Sequence, residues 1–168
     1  METHSKYFFS DHHVPGLPEN MKPILIADSF ATPSNIGSLI RLGANLGISK
    51  VIVLNGFHLR QSKIKKTAGA ALQHIEVVYT ETPQLLSYIP SEYSIVGIET
   101  AENATSIFDQ LPKKVAFVLG NEKYGISKEV LEICHSTRYI PMPGKIKSMN
   151  VSHAASVSLF EWYRQINN

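Results

Sequence analysis

Cysteine is nearly missing from this 168-residue sequence, where Cys134 stands alone. One thiol cannot close an internal bridge, and no Cys/His pair shows zinc-finger spacing, so neither disulfides nor a structural metal is expected and a reducing cytoplasm is the natural compartment. Long apolar runs are missing too. No stretch approaches the ~18 residues that span a bilayer, and the opening segment, with Glu2, Asp11, Glu19, His4, His12 and His13, lacks the apolar block of a secretory signal. No membrane partner is expected, and no metal centre from the three histidines. Charge of one sign is scarce: 16 Lys and Arg against 14 Asp and Glu leave a net +2. That balance permits a nucleic-acid partner without demanding one. The patterns G-x-G-x-x-G, G-x-x-x-x-G-K-[ST] and H-E-x-x-H are all absent, which withdraws support from ordinary dinucleotide binding, P-loop phosphate chemistry and metal hydrolysis.

What is present is globular in character, with 43% hydrophobic and 18% charged residues. A chain of this length buries roughly two-thirds of its unfolded surface, enough for one core. Residues 1–22 form a polar lead-in punctuated by Pro and Gly and read as an N-terminal arm; residues 23–168 read as one domain. Short apolar, β-branched runs at 23–27, 50–54, 75–79, 94–98, 115–119 and 138–140 are strand candidates. They alternate with helix-like stretches at 35–46, 64–72, 83–88, 128–134 and 152–165. Near-continuous apolar strands suit burial on both faces, so the expected class is α/β, a mainly parallel sheet with helices on both faces. There is no internal repeat.

Three segments carry polar residues beyond what such a scaffold needs. The first, N-I-G-S-L-I-R, runs from Asn35 to Arg41 and follows a helix-opening Thr32-Pro33-Ser34. Six residues along a helix turn through about 600°, so Asn35 and Arg41 share a face only if Asn35 belongs to the preceding loop. Seen alone, the segment is a helix cap and a solvent-facing arginine. The second, L-G-N-E-K-Y-G-I-S, leaves the 115–119 strand at Gly120, places Glu122 on a loop and closes at Gly125. Ligands of open α/β sheets bind beyond the carboxyl ends of strands, and Gly120 would let backbone approach a flat ligand. The third, I-P-M-P-G-K-I-K-S-M-N-V-S, starts at Ile140 and brings Ser148, Asn150 and Ser152 just before the last helix. One of these three is expected to cap that helix, and three in five positions exceeds what capping requires.

Together the segments resemble, in order and spacing, the three signature motifs of the SpoU/TrmH family of RNA ribose methyltransferases, within the SPOUT class. The resemblance covers nearly everything from Pro23 to Gln165, and the stretch from Lys63 to Leu72 resembles the family's segment after the second strand. Departures are mild: Gly43 stands where many relatives have alanine, and Met149 where leucine is common. The resemblance implies a C-terminal trefoil knot, a homodimer, S-adenosylmethionine as cofactor and transfer of its methyl group to a ribose 2′-hydroxyl of tRNA or rRNA, tRNA ahead of rRNA. It also implies that Gly120, Ile140 and Met149, with Thr100 beside them, line the cofactor pocket, and that Asn35, Arg41, Glu122, Ser148 and Asn150 serve catalysis and substrate.

The family assigns proton abstraction to the arginine matching Arg41. A guanidinium has a pKa above about 12 and stays protonated, so Arg41 is better read as a charge clamp on a phosphate and a developing oxyanion, oriented by Asn35 and Glu122. Arg60, Lys63, Lys65 and Lys66 form the densest basic run, and Lys145 and Lys147 lie within the third segment; these are candidate phosphate contacts. The last helix is apolar on more than one stripe, with Ala154, Ala155, Val157, Leu159, Phe160, Trp162 and Tyr163, more than packing on one side needs. Two alternatives stand beside this reading: a SPOUT enzyme acting on a base nitrogen, and an inactive RNA-binding relative.

Overall fold

The computed structural model describes residues 9, 10, 12 and 14–167. His4 and His13 lie outside these, and among the described residues no group of three or more His, Cys, Asp or Glu is placed to hold a metal. The described residues contain seven strands: β1 (Ile24–Asp28), β2 (Lys50–Leu54), β3 (Glu76–Thr80), β4 (Ser94–Ile98), β5 (Thr105–Ser106), β6 (Val115–Leu119) and β7 (Ser136–Tyr139). They form one sheet in the order β3-β2-β1-β6-β4-β7-β5, and every pairing is parallel. The expected α/β class is thus what the chain adopts.

Strands β1 and β6 lie side by side at the centre and are buried at every residue. That is why both read as unbroken apolar runs: each face of a central parallel strand is covered. On one face α1 (Pro33–Leu46), α2 (Gln61–Ala68) and α4 (Val151–Ile166) build a core around Phe30, Ile36, Leu39, Phe117, Leu159 and Trp162. The buried Trp162 indole donates to Pro112 O at 3.1 Å, which satisfies its one polar atom. On the opposite face α3 (Lys128–Glu132) and a 3₁₀ stretch at Thr82–Tyr88 cover Ile26, Ile52, Leu85, Ala116 and Val130. The chain moves outward from β1 to β3 and returns on the far side, where β6 separates β1 from β4. Such a reversal opens a crevice at the carboxyl ends of the strands.

Helix α1 is laid unusually close to its neighbours. A side chain at Gly37 would come within 2.6 Å of Thr67 Cβ and 2.8 Å of Ile64 O, and one at Gly43 within 2.6 Å of Ile75 Cδ1. The glycine at 43 is therefore matched to Ile75 and Ile48, which fill the space a side chain there would take. Residues of the N-terminal segment also reach the domain: Leu17 packs on the core, and Pro15 O accepts from the Tyr163 hydroxyl at 3.0 Å.

Several boundaries differ from the sequence expectation. The 64–72 helix is two pieces, because Gly69 at φ 58° ends α2 and a 3₁₀ turn, Gly69–Gln73, follows. The 83–88 helix is the 3₁₀ stretch, and the short strand β5 is an addition. The last strand lies at Ser136–Tyr139 rather than 138–140.

Candidate functional site

The site is assembled where β1, β4 and β6 end. Asp28, last in β1, is fully buried, an expensive place for a carboxylate unless it is hydrogen-bonded. Its Oδ2 accepts from Ser127 N at 2.6 Å and its Oδ1 from the Ser29 hydroxyl at 2.9 Å. Ser29 then turns into the left-handed region at φ 53°, a conformation a non-glycine residue holds only when its surroundings enforce it. The enforcement is visible. Asn121 donates from Nδ2 to Ser29 O at 2.6 Å, so the β6 exit clamps the β1 exit.

The β6 exit itself is a closed loop. Asn121 and Gly125 exchange both backbone hydrogen bonds at 2.9 Å, and Asn121 Oδ1 accepts from the backbone of Lys123 and Tyr124 at 2.9 and 3.2 Å. A side chain at Gly120 would run into the backbone of Gly125 and Ile126. The glycine is needed for the chain's own close crossing, a constraint that the sequence did not suggest. Glu99, at the β4 exit, braces the same loop: one oxygen accepts from Ile126 N at 3.1 Å, the other from Thr100 N at 2.9 Å. The sequence pattern favours Thr100 and passes over Glu99; its position one residue beyond a buried strand is the signal available.

At the tip of the loop, Glu122 gathers three donors: Ala31 N at 2.9 Å, Thr32 N at 3.1 Å and Asn35 Nδ2 at 2.7 Å. Partial burial pushes its carboxyl up, but these bonds together with its own backbone N–H outweigh burial and leave the pKa below the usual carboxylate value. An ionised carboxylate only accepts. Asn35 must therefore present its amide nitrogen to Glu122 and its oxygen the other way, where it accepts from Asn150 Nδ2 at 3.2 Å. Asn150 Oδ1 in turn takes Ser152 N at 2.8 Å and the Ser152 hydroxyl at 2.6 Å, capping α4. One anion thus sets the direction of a hydrogen-bonded chain joining α1, the β6 exit and the start of α4.

Beside this chain lies a cavity of about 300 Å³, walled by Ile98, Leu119, Ile140 and Met149, with Glu99, Ser148 and Asn150 at its polar edge. The loop before α4 is held over it by Lys147, whose ammonium donates to Met142 O at 2.6 Å.

The model of the SpoU rRNA Methylase family matches residues 22–160. The chain belongs to the SpoU family. It is 34% identical over 146 residues to the 23S rRNA (guanosine-2'-O-)-methyltransferase RlmB of Xylella fastidiosa, a match covering 84% of this chain and 58% of that protein. The chain spans less than two thirds of the length of the curated relatives it matches. Among solved structures, it is similar to the SpoU methyltransferase AviRb of Streptomyces viridochromogenes in complex with AdoMet, with a TM-score of 0.79, 25% identity and coverage of 90% of this chain and 60% of that one. A structure described as giving insight into 2-OH methylation of C/U34 on tRNA matches with a TM-score of 0.78, 25% identity and coverage of 88% and 98%.

Of the residues singled out from the SpoU motifs, Gly120, Glu122, Ile140, Ser148, Met149, Asn150 and Thr100 all line this cavity. Asn35 is buried and joins it through Glu122 and Asn150. Arg41 is not among the lining residues and is exposed on α1. Because Asn35 is helical, within Pro33–Leu46, the condition for the two side chains to converge is not met. Among the described residues of the one chain, neither a hydrogen bond nor an ion pair joins Arg41 to Asn35 or Glu122, whose bonds run to Ala31, Thr32, Asn150 and each other.

Proposed function

We propose that this SpoU chain transfers the methyl group of S-adenosylmethionine to a ribose 2′-hydroxyl of RNA, tRNA ahead of rRNA, as a cytoplasmic homodimer. The observation that carries the reading is the directed chain Ser152–Asn150–Asn35–Glu122, which holds three motif segments around one cavity. No helix among the described residues is long and apolar enough to cross a membrane. The preference for tRNA is supported by the likeness to the structure described for 2-OH methylation of C/U34 on tRNA.

The cavity suits such a cofactor. Its volume, about 300 Å³, is at the lower end for small-molecule sites, and its walls set the apolar Ile98, Leu119, Ile140 and Met149 against the polar Glu99, Thr100, Ser148 and Asn150, a mixture that fits a ligand with both a flat ring and charged groups. Ile140 and Met149 would flank the purine, and the Gly120 loop and Thr100 would hold the polar parts. When bound, the cofactor supplies a methyl group on an electron-poor sulfonium. The chain's own work is then orientation and charge. Glu122 and Asn35 are positioning residues that fix the loops, Asn150 does the same for α4, and Ser148, exposed at the edge, is free to meet the ribose.

Arg41 enters from a partner. As a permanent cation it stabilises the negative charge that develops on the 2′-oxygen as that oxygen's proton passes to solvent water, and grips the neighbouring phosphate; being exposed on α1, it is available to a second copy's cavity. Support for a second copy comes from α4, where Phe160 is 54% exposed and Val157, one turn before it, is only partly covered. The test is a comparison of RNA from cells with and without the gene, digested to nucleosides and analysed by mass spectrometry. Loss of one ribose-methylated nucleoside from tRNA supports the reading; unchanged ribose methylation in all RNA refutes it.

A further inference from the structure

Acidic residues are missing from a long central part of the chain. Between Asp28 and Glu76 there is no Asp or Glu, while Arg41, Lys50, Arg60, Lys63, Lys65 and Lys66 all fall there. Among the described residues only Lys50 of these forms an ion pair, with Glu76 at 3.4 Å; Arg60, Lys63, Lys65 and Lys66 are exposed. At the head of this stretch stands Phe57, 61% exposed.

Its exposure is built in. Leu59 N donates to Gly56 O at 3.1 Å, so Phe57 and His58 are the two central residues of a tight turn. Asn55 enters that turn in the left-handed region at φ 55°, held by bonds from its amide to Ser29 Oγ at 3.1 Å and Thr82 Oγ1 at 3.2 Å. Gly56 packs so tightly that a side chain there would meet Val53 Cγ1 at 2.5 Å. The Phe57 ring is steadied by Tyr79, centroid to centroid 6.3 Å and tilted 43°, and Tyr79 is itself anchored by its hydroxyl donating to Gln61 Oε1 at 3.2 Å. An aromatic ring braced at its edge, presented to water at the start of a cationic helix, is what an unstacked base and its phosphates would require.

We propose that Phe57 is a stacking platform for an unpaired base of the RNA, with Arg60 and Lys63 taking the flanking phosphates. This rests on the RNA reading above and adds where a second nucleotide binds. A second copy of the chain is a poorer occupant, because a two-fold contact centred here would press two like-charged basic clusters together. Tyr124, more exposed at 77%, is a weaker platform, since Lys123 Nζ already sits 5.0 Å from its ring centre.

The test uses the full chain and two fluorescein-labelled oligoribonucleotides of equal length, oligouridylate and its abasic counterpart. A base–aromatic stack is worth about 1–3 kcal/mol, so Phe57→Ala should weaken oligouridylate binding about five- to hundred-fold and leave the abasic probe unchanged. Phe57→Trp should restore binding. Lys63→Ala should weaken both probes alike and reduce the salt slope by about one. Phe57→Ala binding both probes as the parent does, or losing both equally, overturns the proposal alone. A parent protein that binds neither probe overturns the RNA reading with it. A Phe57→Ala change in oligomeric mass with unchanged RNA binding assigns the ring to a second copy and overturns the platform.

Discussion

Changing one nitrogen to oxygen tests the directed hydrogen-bond chain. In Asn35→Asp the group facing Glu122 Oε1 at 2.7 Å becomes a carboxylate oxygen, while the oxygen facing Asn150 is kept. Two unit charges held that close repel by about 6 kcal/mol at an effective dielectric of 20, an upper bound, and a charge-assisted bond of about 1.5–3 kcal/mol is lost. Glu122 is on the exposed rim and the loop relaxes, so the net destabilisation at neutral pH should be about 2–4 kcal/mol, read as a lower urea midpoint. The pair should also share a proton. A carboxyl raised in the folded state has its full stability below the unfolded pKa and loses it as pH rises through the folded one, whereas Glu122 in the parent, with its pKa lowered, loses stability as pH falls. The deficit should therefore narrow as pH drops toward about 4. Adding Glu122→Gln turns the bond around, with an amide now donating to the introduced carboxylate, and should recover at least about 1.5 kcal/mol relative to additivity. A single variant as stable as the parent, with a purely additive double variant, would refute the argument.

Other outcomes follow from the same contacts. Gly120→Ala forces a methyl into Gly125 and Ile126, so thermal unfolding should show a loss of about 1–3 kcal/mol and calorimetry a loss of cofactor binding; an undisturbed variant would contradict the crossing described here. Arg41→Ala removes an exposed side chain, so stability should stay within about 0.5 kcal/mol while methyl transfer falls about a hundredfold or more; near-parental turnover would remove Arg41 from the mechanism. Burial, helped by nearby Asp28, pushes the Cys134 thiol up to about 11. It should thus react slowly with a thiol reagent at pH 8 and rapidly once urea unfolds the chain; a fast folded-state reaction would show it is neither buried nor protonated.

Much of the scaffold is legible because central parallel strands advertise themselves. The runs at 50–54, 94–98 and 115–119 coincide with β2, β4 and β6. The β1 boundary differs by one residue for a physical reason: an apolar pattern stops before Asp28, which is buried only because Ser127 and Ser29 satisfy it. Strand β5, two residues of Thr and Ser, carries no apolar signal. The α2 break at Gly69 depends on a left-handed backbone, which composition cannot reveal in a segment that reads as a helix throughout. In the site, seven of the residues that the family resemblance singles out line one cavity. Which atoms they give to one another is a matter of long-range contact, such as Glu122 to Asn35 across 87 residues, and periodicity is blind to it.

Where the methyl group goes decides the central claim. Purified protein, methyl-labelled S-adenosylmethionine and tRNA can be incubated and the RNA cleaved in alkali, which cannot cut a linkage whose 2′-oxygen is methylated. The label should appear in alkali-resistant dinucleotides and vanish with Arg41→Ala. Label recovered in mononucleotides would mean a base is the target, and no incorporation into any RNA would mean the cavity between Gly120 and Met149 does not perform this reaction.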